Sequence, residues 1–206
     1  MFEVPFPEDT GNSFPMALEF SDEFEHGFGW REQGERIPRT SHAVRSGGRV
    51  WLTDPVDGSG LDERVRELGE PAGVVQLLDR HSRDCAAVAA RLGVRLYLVA
   101  APDGLEGRQI VHWRFWKEIA LWLPEERVLV CADVLGSLGY FRAKNEPFGV
   151  HPLLRLFPPK GALARLEPEH ILFGHGPGYH GSDAPEKLRE ALATSRRRLP
   201  QALLPG

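Results

Sequence analysis

Leu78-Asp79-Arg80-His81-Ser82-Arg83-Asp84 runs directly into Cys85-Ala86-Ala87-Val88-Ala89-Ala90-Arg91-Leu92-Gly93, and this junction decides the fold class. Upstream, residues 74–78 form a short apolar run of the length of a buried strand. Downstream, Ala, Val and Leu recur at helical spacing until Gly93 supplies a stop, and 94–100 reads as the next strand. A strand, a polar loop carrying an imidazole, carboxylates and a guanidinium, then a helix and another strand make a layered α/β arrangement.

Working outward, 41–54 reads as a hairpin, with Ser46-Gly47-Gly48 supplying the backbone freedom of a tight turn and Asp54 closing its second strand. A Gly- and Asp-rich loop over 55–60 leads to a helix over 61–68. Residues 119–123 and 127–132 flank Pro124-Glu125-Glu126 as a second hairpin. A short strand over 171–173 enters the loop Gly174-His175-Gly176-Pro177-Gly178, and 184–198 is the closing helix with Pro185 in its first turn. The Pro-rich stretch 141–159 is expected to hold a helix over 150–156. No repeat or linker divides the chain, so one domain over 1–206 is expected.

Composition narrows the function classes. With 42% apolar and 26% charged residues in 206, the chain suits a folded domain with a substantial core. A net charge of −4 argues against nucleic acid and against anionic membranes, whose binding draws on clustered cations. Arg196-Arg197-Arg198 reads as a solvated helix end. The first 15 residues mix Glu, Asp and Pro in place of a basic region and an apolar one, and no apolar run is long enough for a membrane span, so a cytoplasmic location is expected. Cys85 and Cys131 cannot form a disulfide framework and are expected as small core residues.

Four local patterns, in order over about residues 40–195, resemble the metallo-β-lactamase superfamily. Leu52-Thr53-Asp54-Pro55 resembles its early strand ending in Asp. Residues 78–93 are similar to the strand, metal-binding loop and small-residue helix that carry its Thr-His-x-His-x-Asp-His signature. Residues 120–135 match a Leu-Tyr-Leu-Pro-Glu hairpin and the strand whose terminal Asp bridges two metals, here Asp133. Gly174-His175-Gly176-Pro177 matches the closing Gly-His-Gly-Pro loop. The resemblance implies an αββα sandwich, two mixed β-sheets flanked by helices, with the site along one edge between the sheets.

It also implies ligand positions, several of which are altered here. The four signature positions carry Asp79, His81, Arg83 and Asp84, and a further family His falls on Arg114. Asp79, His81, Asp84, Asp133 and His175 therefore remain as a metal set, with Asp79, His81 and Asp133 the candidates for catalysis. Arg83 and Arg114 bring fixed positive charge to positions where a dication would sit. They are expected to replace the metals as partners of Asp84 and Asp133, leaving an eroded dinuclear site. His81 and Asp84 have a plainer reading as caps at a helix start, Asp133 as a turn residue, and Glu118 is a reserve carboxylate beside the missing His. His42, His151, His170 and His180 read as surface or core polar residues, and Trp113, Phe115, Trp116 and Trp122 as a core, dimer-contact or cleft-roofing cluster.

The first functional expectation is a non-catalytic protein that binds a small molecule or a protein partner, a second copy included, with no cofactor. The alternative is a metal-dependent hydrolase using one weakly held zinc or manganese ion and an activated water. Nucleic-acid processing, found in relatives of this fold, fits the acidic balance poorly.

Overall fold

The computed structural model describes residues 16–34, 38–81 and 83–202. The reading of the first 15 residues and the position of Ser82 lie outside these. In chain order the strands are β1 Leu18–Phe24, β2 Gly27–Glu32, β3 Ser41–Ser46, β4 Arg49–Thr53, β5 Glu70–Gln76, β6 Arg95–Leu98, β7 Glu106–Trp113, β8 Trp116–Leu123, β9 Val128–Cys131, β10 Leu135–Gly136, β11 Gly149–Val150, β12 His170–Phe173 and β13 Tyr179–His180. The helices are α1 Leu61–Leu68, α2 Cys85–Leu92, α3 Lys160–Leu163 and α4 Ala184–Ala202.

Successive strand residues point to opposite faces, so a strand with two apolar neighbours in a row must be covered on both sides. Ala43 and Val44 on β3, and Val74 and Val75 on β5, are such pairs. The first of each packs with Leu61 and Val65 of α1 and Val88 and Ala89 of α2. The second of each joins the core that also contains Leu121, Leu129, Val130 and Ile171 of the other sheet and Leu188 and Leu192 of α4. The layers follow from this: helices, sheet, sheet, helix.

Both sheets are mixed. One has the order β1-β2-β3-β4-β5-β6, antiparallel through β4 and parallel from β4 to β6; the other has the order β13-β12-β9-β8-β7, with only β12 and β9 parallel. The β3–β4 hairpin turns at Gly47 and Gly48, whose φ values of 58° and 76° lie in the left-handed region that glycine enters without penalty.

Several elements differ from the sequence reading. β1 and β2 were not expected, because Glu19, Asp22 and Glu23 interrupt the apolar alternation of the first and glycines dilute that of the second. β7 likewise carries only a weak apolar pattern, Gln-Ile-Val between polar residues. The helix expected over 150–156 is a single 3-10 turn, Pro152–Leu154, after β11: His151 caps it by accepting from the Leu153 N–H at 3.3 Å, and Pro158-Pro159 block continuation. The loop before that turn is held instead by a buried ion pair. Arg155 and Glu146, with side chains 0% and 2% exposed, meet at 2.6 Å, and Arg155 also donates to the Phe141 carbonyl at 2.6 Å. No helix among the described residues is long and apolar enough to cross a membrane.

Two predictions come from this packing. Cys85 and Cys131 are both buried and free; burial pushes the Cys85 thiol up to about 12 and the Cys131 thiol well above its ordinary value. At pH 8 neither is a thiolate, so a thiol-labelling reagent should modify neither in the folded protein and both in urea. Glu146→Ala leaves the Arg155 guanidinium buried without its partner and should cost about 3–5 kcal/mol in denaturant unfolding; a loss below about 0.5 kcal/mol, the scale of surface changes, would mean the pair is hydrated.

Candidate metal centre

β4, β5, β9 and β12 all end at the same edge, and each end contributes to one site. Asp54 follows β4 in a left-handed backbone conformation (φ 43°), unusual for a residue with a side chain. That conformation turns its carboxylate across to the end of β5: Oδ1 accepts from the Leu77 N–H at 2.9 Å, and Oδ2 lies 3.2 Å from Nδ1 of His81. His81 is thereby aimed with its Nε2 at Asp133 Oδ1, 3.1 Å away. His175, beyond β12, approaches the same oxygen with its Nε2 at 3.3 Å, and its Nδ1 lies 3.1 Å from the Pro38 carbonyl. A carbonyl only accepts, so His175 carries a proton on Nδ1, and its Nε2 is left facing Asp133.

Asp133 is fixed from behind by Glu118. This fully buried carboxylate on β8 accepts from the backbone N–H groups of Asp133 and Val134, both at 2.9 Å, and from the Trp116 indole at 2.8 Å. Burial, with the nearby Asp133 charge, pushes the Glu118 carboxyl up to about 7. The Asp133 carboxyl behaves oppositely: burial would raise it, but the two imidazoles outweigh burial and hold it well below the usual range. For His81, burial disfavours the charged ring, yet carboxylates on both of its nitrogens raise it to about 9.

One atom remains unaccounted for. Asp133 Oδ1 is buried and receives no hydrogen bond, although two imidazole nitrogens lie within ion-pair distance of it. The ligand atoms of His81, Asp133 and His175 all lie within 4.8 Å of one another. Zinc–ligand bonds of 2.0–2.2 Å place neighbouring ligand atoms of a tetrahedron roughly 3.3 Å apart. The observed separations of 3.1 and 3.3 Å match that spacing, so the three residues fit a divalent ion. Both imidazoles also have the acceptor behind Nδ1 that commonly orients metal-binding histidines.

The other residues singled out from the sequence lie elsewhere. Asp79 is exposed, and its backbone N–H pairs with the Lys117 carbonyl at 3.0 Å. Asp84 is exposed too, its carboxylate accepting from the Asp57 N–H at 2.8 Å; the loop over 55–60 has drawn it away from the centre. Arg114 sits exposed in the turn between β7 and β8, so it replaces no ligand. Arg83 does not pair with Asp84 or Asp133 as expected. Its left-handed backbone (φ 37°) sends the side chain under the strand ends, where the guanidinium donates to the carbonyls of Asp54 at 2.8 Å, Thr40 at 2.9 Å and Gly174 at 3.2 Å. The charge that does approach Asp133 is Arg80, 3.8 Å from Oδ2 and stacked 4.6 Å above the Trp116 ring.

Sequence reasoning passed over Arg80, the orienting role of Asp54, and a wall of rings. His151 lies 4.9 Å from Trp116 and 5.5 Å from Phe141, and Phe141 stacks at 6.1 Å on His175 with Tyr140 at 6.3 Å beside it. Arg80 adjoins His81 in the loop already singled out, which was its available signal. Phe141 and His151 had none, because they come from the Pro-rich stretch, whereas Trp116 had been singled out with the aromatic cluster. Of the aromatic cluster, Trp116 and Trp122 are core, while Trp113 and Phe115 are exposed at the tip of the β7–β8 hairpin.

No protein-family model and no curated protein sequence matches the chain. Solved structures do. TMB-1 superposes with a TM-score of 0.57 at 14% identity, covering 90% of this chain and 98% of its own. The DIM-1 metallo-β-lactamase gives 0.56 at 15% identity, over 90% and 98%. A metallo-β-lactamase from Pontibacter korlensis gives 0.50 at 12%, over 89% and 99%. Identities this low bear on architecture alone, and they agree with the two mixed sheets and their helices: the chain has the metallo-β-lactamase fold.

Proposed function

We propose that this chain is a hydrolase working with a single divalent metal ion, zinc or manganese, held by His81, Asp133 and His175. The observation that carries this reading is Asp133 Oδ1, buried, without a hydrogen bond and faced by two imidazole nitrogens. Burying such an oxygen is unfavourable unless protons or a cation compensate. Three protein ligands are the number catalytic zinc sites use while keeping a position open. When bound, the ion would supply Lewis-acid chemistry, polarising a carbonyl or phosphoryl oxygen and lowering the pKa of water.

The chain's own residues have separate tasks. Asp54 and the Pro38 carbonyl hold the two rings in the tautomer that frees Nε2, and Glu118 keeps Asp133 in register. Arg80, on the open side and tied to Asp133 Oδ2 only at 3.8 Å, is placed to receive an anionic oxygen of a substrate. Tyr140 and His151, backed by the buried Trp116, would seat its apolar part. With Asp79 and Asp84 turned away and Arg83 filling the space below the loop, support for a second ion at this centre is lacking among the described residues. A non-catalytic ligand-binding protein is the second reading. It is favoured by Arg80, whose charge already partly neutralises Asp133 without metal.

Zinc titration of chelator-treated protein should give one equivalent at this centre. Asp133→Ala and His175→Ala should weaken it at least 100-fold, and Glu118→Gln, which removes one acceptor behind Asp133, by about 10–100-fold. Turnover is checked with the zinc- and manganese-loaded protein on a chromogenic β-lactam, a carboxylic ester and a phosphodiester. Metal-dependent turnover abolished by Asp133→Ala supports the hydrolase; tight metal binding with no turnover of any substrate class favours the binding protein. Arg83→Met should lower stability by about 3 kcal/mol or more, since hydrogen bonds from a charged donor contribute about 1.5–3 kcal/mol each. Its zinc stoichiometry should stay at one; a rise to two would mean Arg83 had been excluding a second ion.

A further inference from the structure

A second group of imidazoles lies at the opposite end of β12. His170 and His180 are directly opposed in the antiparallel β12–β13 pair, and their Nδ1 atoms approach to 2.8 Å. Phe24 of β1 packs against both rings, 4.5 Å from His170 and 5.5 Å from His180, and His26 lies 6.4 Å from Phe24 on its far side. Five residues of extended chain separate His170 from His175, on the order of 15 Å, so this group is distinct from the centre at Asp133.

A 2.8 Å gap between two imidazole nitrogens holds one proton: one ring donates and the other offers a lone pair. Burial, followed by the neighbouring His180, disfavours a charged His170. Behind His180 stands Asp22, whose side chain is 7% exposed. Its Oδ1 accepts from the Gly178 N–H at 2.9 Å and lies 3.8 Å from His180 Nε2. A buried carboxylate at ion-pair distance behind an imidazole favours its basicity toward a metal. Gly178 leaves room for this arrangement: a Cβ at that position would come within 2.9 Å of His180 Nε2, and the ring would have to shift. The carboxylate is itself incompletely satisfied, since Asp22 Oδ2 and His42 Nε2 are buried, 3.8 Å apart, and make no hydrogen bond.

We propose that His170 and His180 form a second site, for a divalent late transition-metal ion bound through the two Nδ1 atoms, with the Asp22 carboxylate behind His180. The ion takes the place of the shared proton, which passes through solvent to Nε2 of the ring that carried it, so that both rings bind as neutral imidazoles. Ring nitrogens bonded at 2.0–2.1 Å sit roughly 3.3 Å apart in a tetrahedral shell, so the rings need to open by about half an ångström, and water completes the coordination on the exposed side. Imidazole donors and the order of divalent affinities make Cu2+ the tightest probe. Because Asp22 and Phe24 belong to one sheet and His170 and His180 to the other, an ion here also ties the two sheets together at this edge.

Cu2+ alone is titrated into metal-free protein and followed by electron paramagnetic resonance, which reports imidazole nitrogens on the ion. His180→Ala and His170→Gln, changed singly at a solvent-facing and a half-buried ring, should each remove one equivalent of Cu2+ or weaken it at least tenfold. Asp22→Asn should weaken the same equivalent while leaving two nitrogens bound. His81→Ala/His175→Ala should leave it untouched, which separates failure here from failure of the proposed hydrolytic centre. Circular dichroism of each metal-free variant checks that the fold is retained. A wild-type chain whose Cu2+ stoichiometry and spectrum are unchanged by both His180→Ala and His170→Gln would overturn the proposal.

Discussion

One buried guanidinium holds the site edge together. Arg83 reaches carbonyls at the start of β3, the end of β4 and the end of β12, so strand ends from both sheets converge on a single planar donor. The Thr40 N–H closes the same knot on the Gly174 carbonyl at 2.9 Å. Strand ends expose carbonyls with no partner in the sheet, and leaving several of them buried would be costly. Arg83 satisfies three at once and thereby fixes how far His175, next to Gly174, stands from His81, two residues before Arg83. The spacing of the two imidazoles across Asp133 is set by this contact.

Around that knot the polar groups are arranged in pairs with opposed tendencies. Asp133 is held ionised by the imidazoles in front of it, while Glu118 behind it is pushed toward the neutral form by burial and by Asp133 itself. Asp54 serves His81 from one face while closing the β4–β5 loop from the other. The architecture therefore concentrates negative charge at one buried oxygen and leaves the adjacent cation, Arg80, on the open side at 3.8 Å. That asymmetry is what a one-ion centre with an accessible coordination position requires.

The sequence carried much of this, unevenly. Strand and helix order could be read because β3, β4, β5 and β9 are apolar enough to betray burial on two faces, and His81, Asp133 and His175 each stand immediately beyond such a strand. Asp79, Asp84, Arg83 and Arg114 were placed by counting along a motif, and counting says nothing about direction. Asp84 is pulled outward by a backbone N–H of the 55–60 loop, and Arg83 is turned inward by its left-handed backbone. Neither is visible in residue order. β1 and β2 were missed because acidic residues in the first and glycines in the second dilute their pattern, and with them went Asp22, which lies beside the His170–His180 pair.

The central claim is that His81, Asp133 and His175 form a one-ion centre whose geometry Arg83 maintains. Anomalous X-ray diffraction at the zinc edge, on crystals grown with zinc, tests it most directly. The account predicts a peak at bonding distance, about 2.0–2.2 Å, from His81 Nε2, Asp133 Oδ1 and His175 Nε2, with no second peak within the roughly 3.5–4 Å of a two-metal site. A density map with no peak among these three residues, or with two ions there and Asp79 or Asp84 swung in to bind one of them, would contradict it.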